Sequence, residues 1–186
     1  MIGLAPPIGR YAPDFELPSV DGTVHHLTRY LEINRAVIVV VMSNDCPAVR
    51  ACVNELNALH QQFSTQGIAV IGINANDDMQ ASNESYQSMK RFAQTHALQF
   101  PYLRDMTQDV VRTFGAEKTP EAFVIDTEGK IQYTGAVVPA NNVQRSVTIP
   151  ALNTPLREAI AQLLSGRAIT VSSTPVVGCP ILWRKG

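Results

Sequence analysis

The sequence is poor in charge, poor in cysteine and without a long apolar run. Asp, Glu, Lys and Arg make up only 17% of it, against 45% apolar residues, which excludes a charge-rich disordered chain. Fifteen basic residues are offset by sixteen acidic ones, leaving a formal charge of −1. That balance gives no general attraction to nucleic acid or to an anionic membrane surface. The longest apolar run, Ala36 to Met42, has strand length and falls short of the roughly 18 to 20 residues a membrane-spanning helix needs. Met1 to Pro13 shows no basic region followed by an apolar stretch, so no secretory signal is read there. Internal repeats and low-complexity segments are absent. Three cysteines (Cys46, Cys52, Cys179) are too few for a disulfide scaffold, and an odd count leaves one thiol unpaired in a monomer. A reducing, cytoplasmic setting is therefore expected. The four histidines are scattered with no zinc-site spacing, and no metal, flavin or nucleotide cofactor is expected.

What is present reads as one α/β domain over residues 1–186, with residues 1–35 as an N-terminal extension and 167–186 as a C-terminal tail. Asp21-Gly22 is a turn signal between Phe15–Leu17 and Thr23–Leu27, which predicts a hairpin. Ala36–Met42 and Ile68–Ile73 are continuous runs, rich in Val and Ile, that predict strands buried on both faces. Between them Val49, Cys52, Val53, Leu56, Leu59 and Phe63 keep helical spacing, with Pro47 suited to the first turn and Gly67 to the stop. Helices are predicted at Ser85–His96, Thr107–Phe114 and Leu152–Leu164, and a strand pair at Glu121–Ile125 and Ile131–Gly135. Strand–helix–strand–helix followed by a hairpin and a helix makes a central mixed sheet with helices on both faces.

Cys46 sits where a buried strand hands over to a helix. Backbone N–H groups at a helix start stabilise a thiolate and lower its pKa below the free value of about 8.5. Arg50, one turn on, adds positive potential, while Asp45 opposes it. Cys52 shares its helix face with apolar residues, and packing is the favoured role. Thr119-Pro120 precedes a strand; taken alone it reads as an ordinary turn. Cys179 lies in the tail beside Pro180 and near Trp183, and two readings stay open: a thiol that folds over Cys46, in its own chain or a partner's, or one pinned inert by Trp183. Arg104-Asp105 and Arg145 read as surface ion-pairing residues.

Taken together these segments resemble a known family. Gly9-Arg10-Tyr11-Ala12-Pro13-Asp14-Phe15-Glu16-Leu17 is similar to the entry segment of the peroxiredoxin and thiol-specific antioxidant superfamily, the alkyl hydroperoxide reductase type. Asn44-Asp45-Cys46-Pro47 resembles the thioredoxin active-site turn. Gly72–Asp77, Phe100–Asp105 and Thr119-Pro120 follow in the expected order. The resemblance runs from Gly9 to Trp183 and is closest to a peroxiredoxin-like branch with an Asn-x-Cys-Pro turn and a Gly-Cys near the C-terminus. It implies a thioredoxin-like fold and a cis Pro120. The chain departs from both parents. Val49 stands where thioredoxins carry their second cysteine. Counting back from Cys46, Ser43 fills the peroxidatic hydroxyl position but Val39 stands where peroxiredoxins have proline. Cys179-Pro180-Ile181-Leu182-Trp183 is similar to the resolving segment of two-cysteine peroxiredoxins.

The resemblance implies a thiol-dependent oxidoreductase of antioxidant type, with Cys46 as nucleophile and Cys179, or less favourably Cys52, as the second thiol. Ser43, Pro47, Arg50, Thr119 and Pro120 are the expected substrate-side residues. Disulfide exchange is favoured over peroxide reduction because Val39 breaks the peroxidatic pattern. Partners would be an external thiol reductant of thioredoxin or glutathione type and a disulfide or peroxide substrate. A homodimer, a redox sensor and a non-catalytic binding module are the remaining expectations.

Overall fold

The computed structural model describes residues 7–139 and 153–185. The hairpin of the extension forms as β1 (Glu16–Pro18) paired antiparallel with β2 (Val24–His26). A short helix the sequence reading lacks, α1 (Leu27–Ile33), follows directly. It carries no side-chain cap at His26, so it gave none of the usual start signals.

The main sheet contains β3 (Ala36–Val41), β4 (Ile68–Asn74), β5 (Tyr102–Arg104), β7 (Glu121–Asp126) and β8 (Ile131–Gly135), in the order β5-β4-β3-β7-β8. The three strands β5, β4 and β3 run parallel, β7 pairs antiparallel with β3, and β8 pairs antiparallel with β7. β6 (Lys118–Thr119) lies apart, paired with a tail strand, β9 (Cys179–Pro180). The helices are α2 (Pro47–Phe63), α3 (Tyr86–Thr95), α4 (Asp109–Phe114) and α5 (Pro155–Leu164).

Alternation along β3 divides the core. Ile38, Val40 and Met42 join Val49, Leu56 and Leu59 of α2, Phe92 of α3 and Ile160 of α5 on one face. Val37, Val39 and Val41 join Leu27, Val111, Phe114 and Ile181 of the tail on the other. A strand covered on both faces needs apolar residues at every position, which is why the run is continuous. Gly72 of β4 has no side chain because a Cβ there would lie 2.7 Å from the Met42 sulfur.

Boundaries shift in places. The fourth helix starts at Asp109 rather than Thr107, and the last helix starts at Pro155 after a Thr154 cap. Arg145, Leu152 and most of the loop predicted at 136–150 lie outside the described residues. Arg104 and Asp105 are not surface residues: they are 2% and 1% exposed. Arg104 sits at the end of a buried strand, where Nη1 donates to the Glu84 carbonyl at 3.1 Å and Nη2 lies 3.7 Å from Asp78. The Asp105 carboxylate accepts from the Gln108 and Val111 amides and so anchors the start of α4.

Candidate active site

The buried strand β3 delivers the chain to a turn at its C-terminal end, and the turn needs polar support because its amides leave the sheet. Ser43 and Asn44 are buried there. The support is a carboxylate from forty residues downstream. Glu84, 1% exposed, accepts from the Ser43 hydroxyl, from the Asn44 amide at 3.0 Å, from the Asp45 amide at 3.2 Å and from Asn74 Nδ2 at 2.7 Å. Burial by itself pushes its carboxyl up, but those donors, the Ser43 hydroxyl foremost, outweigh burial and hold it below the usual range. Tyr102 donates to Asn44 Oδ1 at 2.9 Å and accepts from Asn74 at 3.0 Å. Nothing in the sequence marks Glu84: an isolated glutamate in a polar stretch has no spacing that signals burial. Asn44 and Asn74 lie in the quoted motifs, but their roles beneath the turn were not foreseen.

On this base Cys46 is the N-cap residue of α2, with extended backbone (φ −70°, ψ 119°) and Pro47 opening the helix. The Cys46 amide donates to Ser43 Oγ at 3.2 Å. Ser43, expected on the substrate side, belongs to the turn's scaffold as well: its hydroxyl donates to Glu84 and its oxygen accepts from the Asp45 and Cys46 amides. Arg50 turns back onto the Asn44 carbonyl at 3.0–3.1 Å and the Asp45 carboxylate at 3.4 Å, half exposed. It neutralises Asp45 and braces the turn.

Across from the turn stands a cis Thr119–Pro120 bond. Thr119 and Pro120 are buried, and the Thr119 carbonyl oxygen is 3.4 Å from the Cys46 sulfur. The tail runs antiparallel to this segment with Thr119 opposite Cys179 and Lys118 opposite Pro180. That register sets Cys179 against Cys46, and the two form a disulfide with a Cα–Cα distance of 5.8 Å. Cys46 is 1% exposed, whereas Cys179 is partly exposed. Of the two readings left open for the tail thiol, the structure shows the one in which it folds over Cys46 of its own chain.

Cys52 does not join the pair. It is the one free cysteine, 1% exposed in the apolar cluster beneath α2. Burial, with Glu55 nearby, pushes its thiol up to about 12, so it stays protonated and unreactive near neutral pH. Val39 points into the opposite face of the sheet, among Leu27 and Phe123. Among the described residues no group of three or more His, Cys, Asp or Glu side chains is placed to hold a metal ion.

A cysteine at the N-cap position of a helix, disulfide-bonded to a second cysteine beside a cis-proline loop, on a mixed sheet flanked by helices, defines a thioredoxin-fold thiol protein. The chain belongs to the AhpC/TSA family, whose model matches residues 8–134. The match ends before the tail, so Cys179 lies outside it. A thiol-disulfide oxidoreductase ResA of Geobacillus thermodenitrificans is 27% identical over 125 residues, 67% of each chain. An uncharacterized conserved protein of Geobacillus kaustophilus superposes with a TM-score of 0.88 at 31% identity, over 98% of this chain and 95% of that one. The peroxidoxin BcpB of Mycobacterium tuberculosis shares the fold, with a TM-score of 0.64 at 20% identity over 88% and 99% of the two chains.

Proposed function

We propose that this protein is a thiol–disulfide oxidoreductase in which Cys46 attacks and Cys179 resolves. The observation that carries the reading is the Cys46–Cys179 disulfide, formed at the start of α2 and against the Thr119 carbonyl. In the reduced protein the Cys46 thiolate attacks one sulfur of a disulfide and expels the other as a thiolate, giving a mixed disulfide. The Cys179 thiolate then attacks the Cys46 sulfur and releases the remaining half, so two protein thiols are oxidised as one external disulfide is reduced. A thiol reductant of thioredoxin or glutathione type restores the pair. The α2 N-terminus favours the thiolate, and the Thr119 carbonyl oxygen lies 3.4 Å from the Cys46 sulfur. The names of the curated relatives support this chemistry. The peroxidase alternative has less support, because Val39 packs on the opposite face of the sheet and the Ser43 hydroxyl proton is committed to Glu84. The cytoplasmic setting belongs to the proposal as the place that supplies the reductant.

Alkylation of the reduced native protein against pH is the test. Cys46 is expected to react at neutral pH faster than a free thiol of pKa about 8.5, while Cys52 reacts only after unfolding. Cys46→Ser is expected to lose exchange, and Cys179→Ser to accumulate the mixed disulfide. A Cys46 no faster than a free thiol would remove it from the mechanism.

A further inference from the structure

Resting on the oxidoreductase reading, the tail's anchorage bears on which disulfides that site can take. β6, which runs into the cis Pro120, offers an edge on which an extended polypeptide could add as a strand, using main-chain hydrogen bonds. The tail's own β9 occupies that edge. Its hold does not depend on the disulfide. The Ile181 amide donates to the Glu117 carbonyl at 3.1 Å and the Leu182 amide to Asn76 Oδ1 at 2.9 Å. The Leu182 carbonyl accepts from the Asp77 amide and from Gln108 Nε2, both at 2.9 Å. The Arg184 amide donates to Gln108 Oε1 at 2.8 Å, and Gln80 Nε2 donates to the Trp183 carbonyl at 2.6 Å. Ile181 is buried in the core cluster, and the Arg112 guanidinium lies 4.4 Å over the Trp183 ring. On the other side of Cys179, Gly178 is pressed so closely onto the loop that a Cβ would come within 1.9 Å of the Thr119 carbonyl oxygen. None of these contacts is made by the sulfur atoms.

We propose that the tail is a fixed plug in the polypeptide-binding edge, so that the substrate of the reduced protein is a low-molecular-weight disulfide and not an extended polypeptide. A small disulfide needs no strand pairing, only the space over the sulfur of Cys46 (a residue 1% exposed in the disulfide form) that opens when the partly exposed Cys179 side chain rotates away after reduction. The balanced step is Cys46–S⁻ + R–S–S–R → Cys46–S–S–R + R–S⁻. Attack by the Cys179 thiolate then gives the Cys46–Cys179 disulfide and a second R–S⁻. A hydroperoxide is the less suited small oxidant, because it needs groups that polarise its O–O bond. The candidate groups are engaged elsewhere: the Ser43 hydroxyl donates to Glu84, the Arg50 guanidinium is turned to the Asn44 carbonyl and Asp45, and the Arg104 guanidinium to Asn74, Glu84 and Asp78.

The experiment measures release of the leaving thiol when reduced full-length protein meets bis(2-hydroxyethyl) disulfide, an extended decapeptide carrying one cysteine in a disulfide with the same leaving thiol, or hydrogen peroxide (followed by loss of free thiols). The small disulfide is expected to react about a hundredfold faster than the peptide, a difference of about 2.7 kcal/mol. Gly178→Val, whose side chain cannot fit beneath the Thr119 carbonyl, and Gln108→Ala, which removes the hydrogen bonds to Leu182 and Arg184 while keeping Cys179, are each expected to narrow that ratio to under about tenfold by speeding the peptide. Gln108→Ala keeps the test valid if Gly178→Val fails to fold. Equal rates in the unaltered protein, or a ratio that neither variant changes, would overturn the plug. Hydrogen peroxide faster than the small disulfide would overturn the substrate class. If no disulfide reacts with Cys46 in any variant, the oxidoreductase reading itself is lost.

Discussion

Glu84 shows how a single side chain can hold a reactive turn without touching the reactive atom. All four of its partners donate: the Ser43 hydroxyl, the Asn44 and Asp45 amides and the Asn74 amide group. Only an acceptor on both oxygens satisfies that arrangement. Glu84→Gln would aim an N–H₂ at two donors, since each oxygen accepts from two, and is expected to cost about 2 to 4 kcal/mol, the range for buried polar groups left unpaired. The pH dependence has a definite sign. Because the folded-state pKa of Glu84 lies below its ordinary value, the ionised group stabilises the fold above the unfolded pKa of about 4.3, and that stability is lost as pH falls through the folded value. The deficit of Glu84→Gln against the unaltered protein, measured by urea unfolding, is thus largest at neutral pH and shrinks in acid. A deficit independent of pH between neutral and strongly acid conditions would mean that the carboxylate charge is not what the turn uses. The sequence could not reveal this residue, whereas it revealed Cys46 readily: a cysteine followed by proline at a strand–helix junction announces its position, and a glutamate in Ser82–Glu84 does not.

Elements were legible in proportion to how local their causes are. β3 and β4 were read from unbroken apolar runs and α2 from its spacing, since burial on two faces or one writes itself into adjacent residues. α1 escaped because seven residues without a side-chain cap, one of them Ile33 at 80% exposure, carry no consistent face. β9 escaped because two residues make no pattern, and its existence depends on Thr119, sixty positions earlier in the chain. The docking of α5 on α2 belongs to the same class. Arg157 pairs with both Glu55 oxygens, at 2.5 and 3.1 Å, and donates to Gln62 Oε1, with the Arg157 and Glu55 side chains only 10% and 12% exposed. Removing one member of a nearly buried pair leaves the other charge uncompensated, so Arg157→Ala is expected to cost about 3 kcal/mol in urea unfolding. Adding Glu55→Gln should return part of that loss, because the second change removes the stranded charge. A double variant no more stable than Arg157→Ala would show that the loss comes from packing of the arginine stem.

At the scale of the whole molecule the Cys46–Cys179 bond closes a loop between residues 133 positions apart. It thus joins the start of α2, early in the chain, to a tail that has crossed β6 and packed Ile181 into the lower core. A crosslink of that span removes many unfolded conformations, and chain-entropy estimates put the stabilisation at about 5 kcal/mol. With the tail as a fixed plug the native state is expected to change little on reduction, since its hydrogen bonds to Asn76, Asp77, Gln80, Gln108 and Glu117 do not involve the sulfurs. The whole difference therefore acts on the unfolded chain. Urea unfolding with and without dithiothreitol should show a large fall in midpoint on reduction, with the reduced protein still unfolding cooperatively. Cys179→Ser should unfold near the reduced protein's midpoint whether or not dithiothreitol is present. Cys52→Ala should keep the full redox-dependent difference, because Cys52 takes no part in the bond. Coincident midpoints for the oxidised and reduced protein would mean that the unfolded chain gains no freedom when the bond opens, and the loop would then not be the source of the stability.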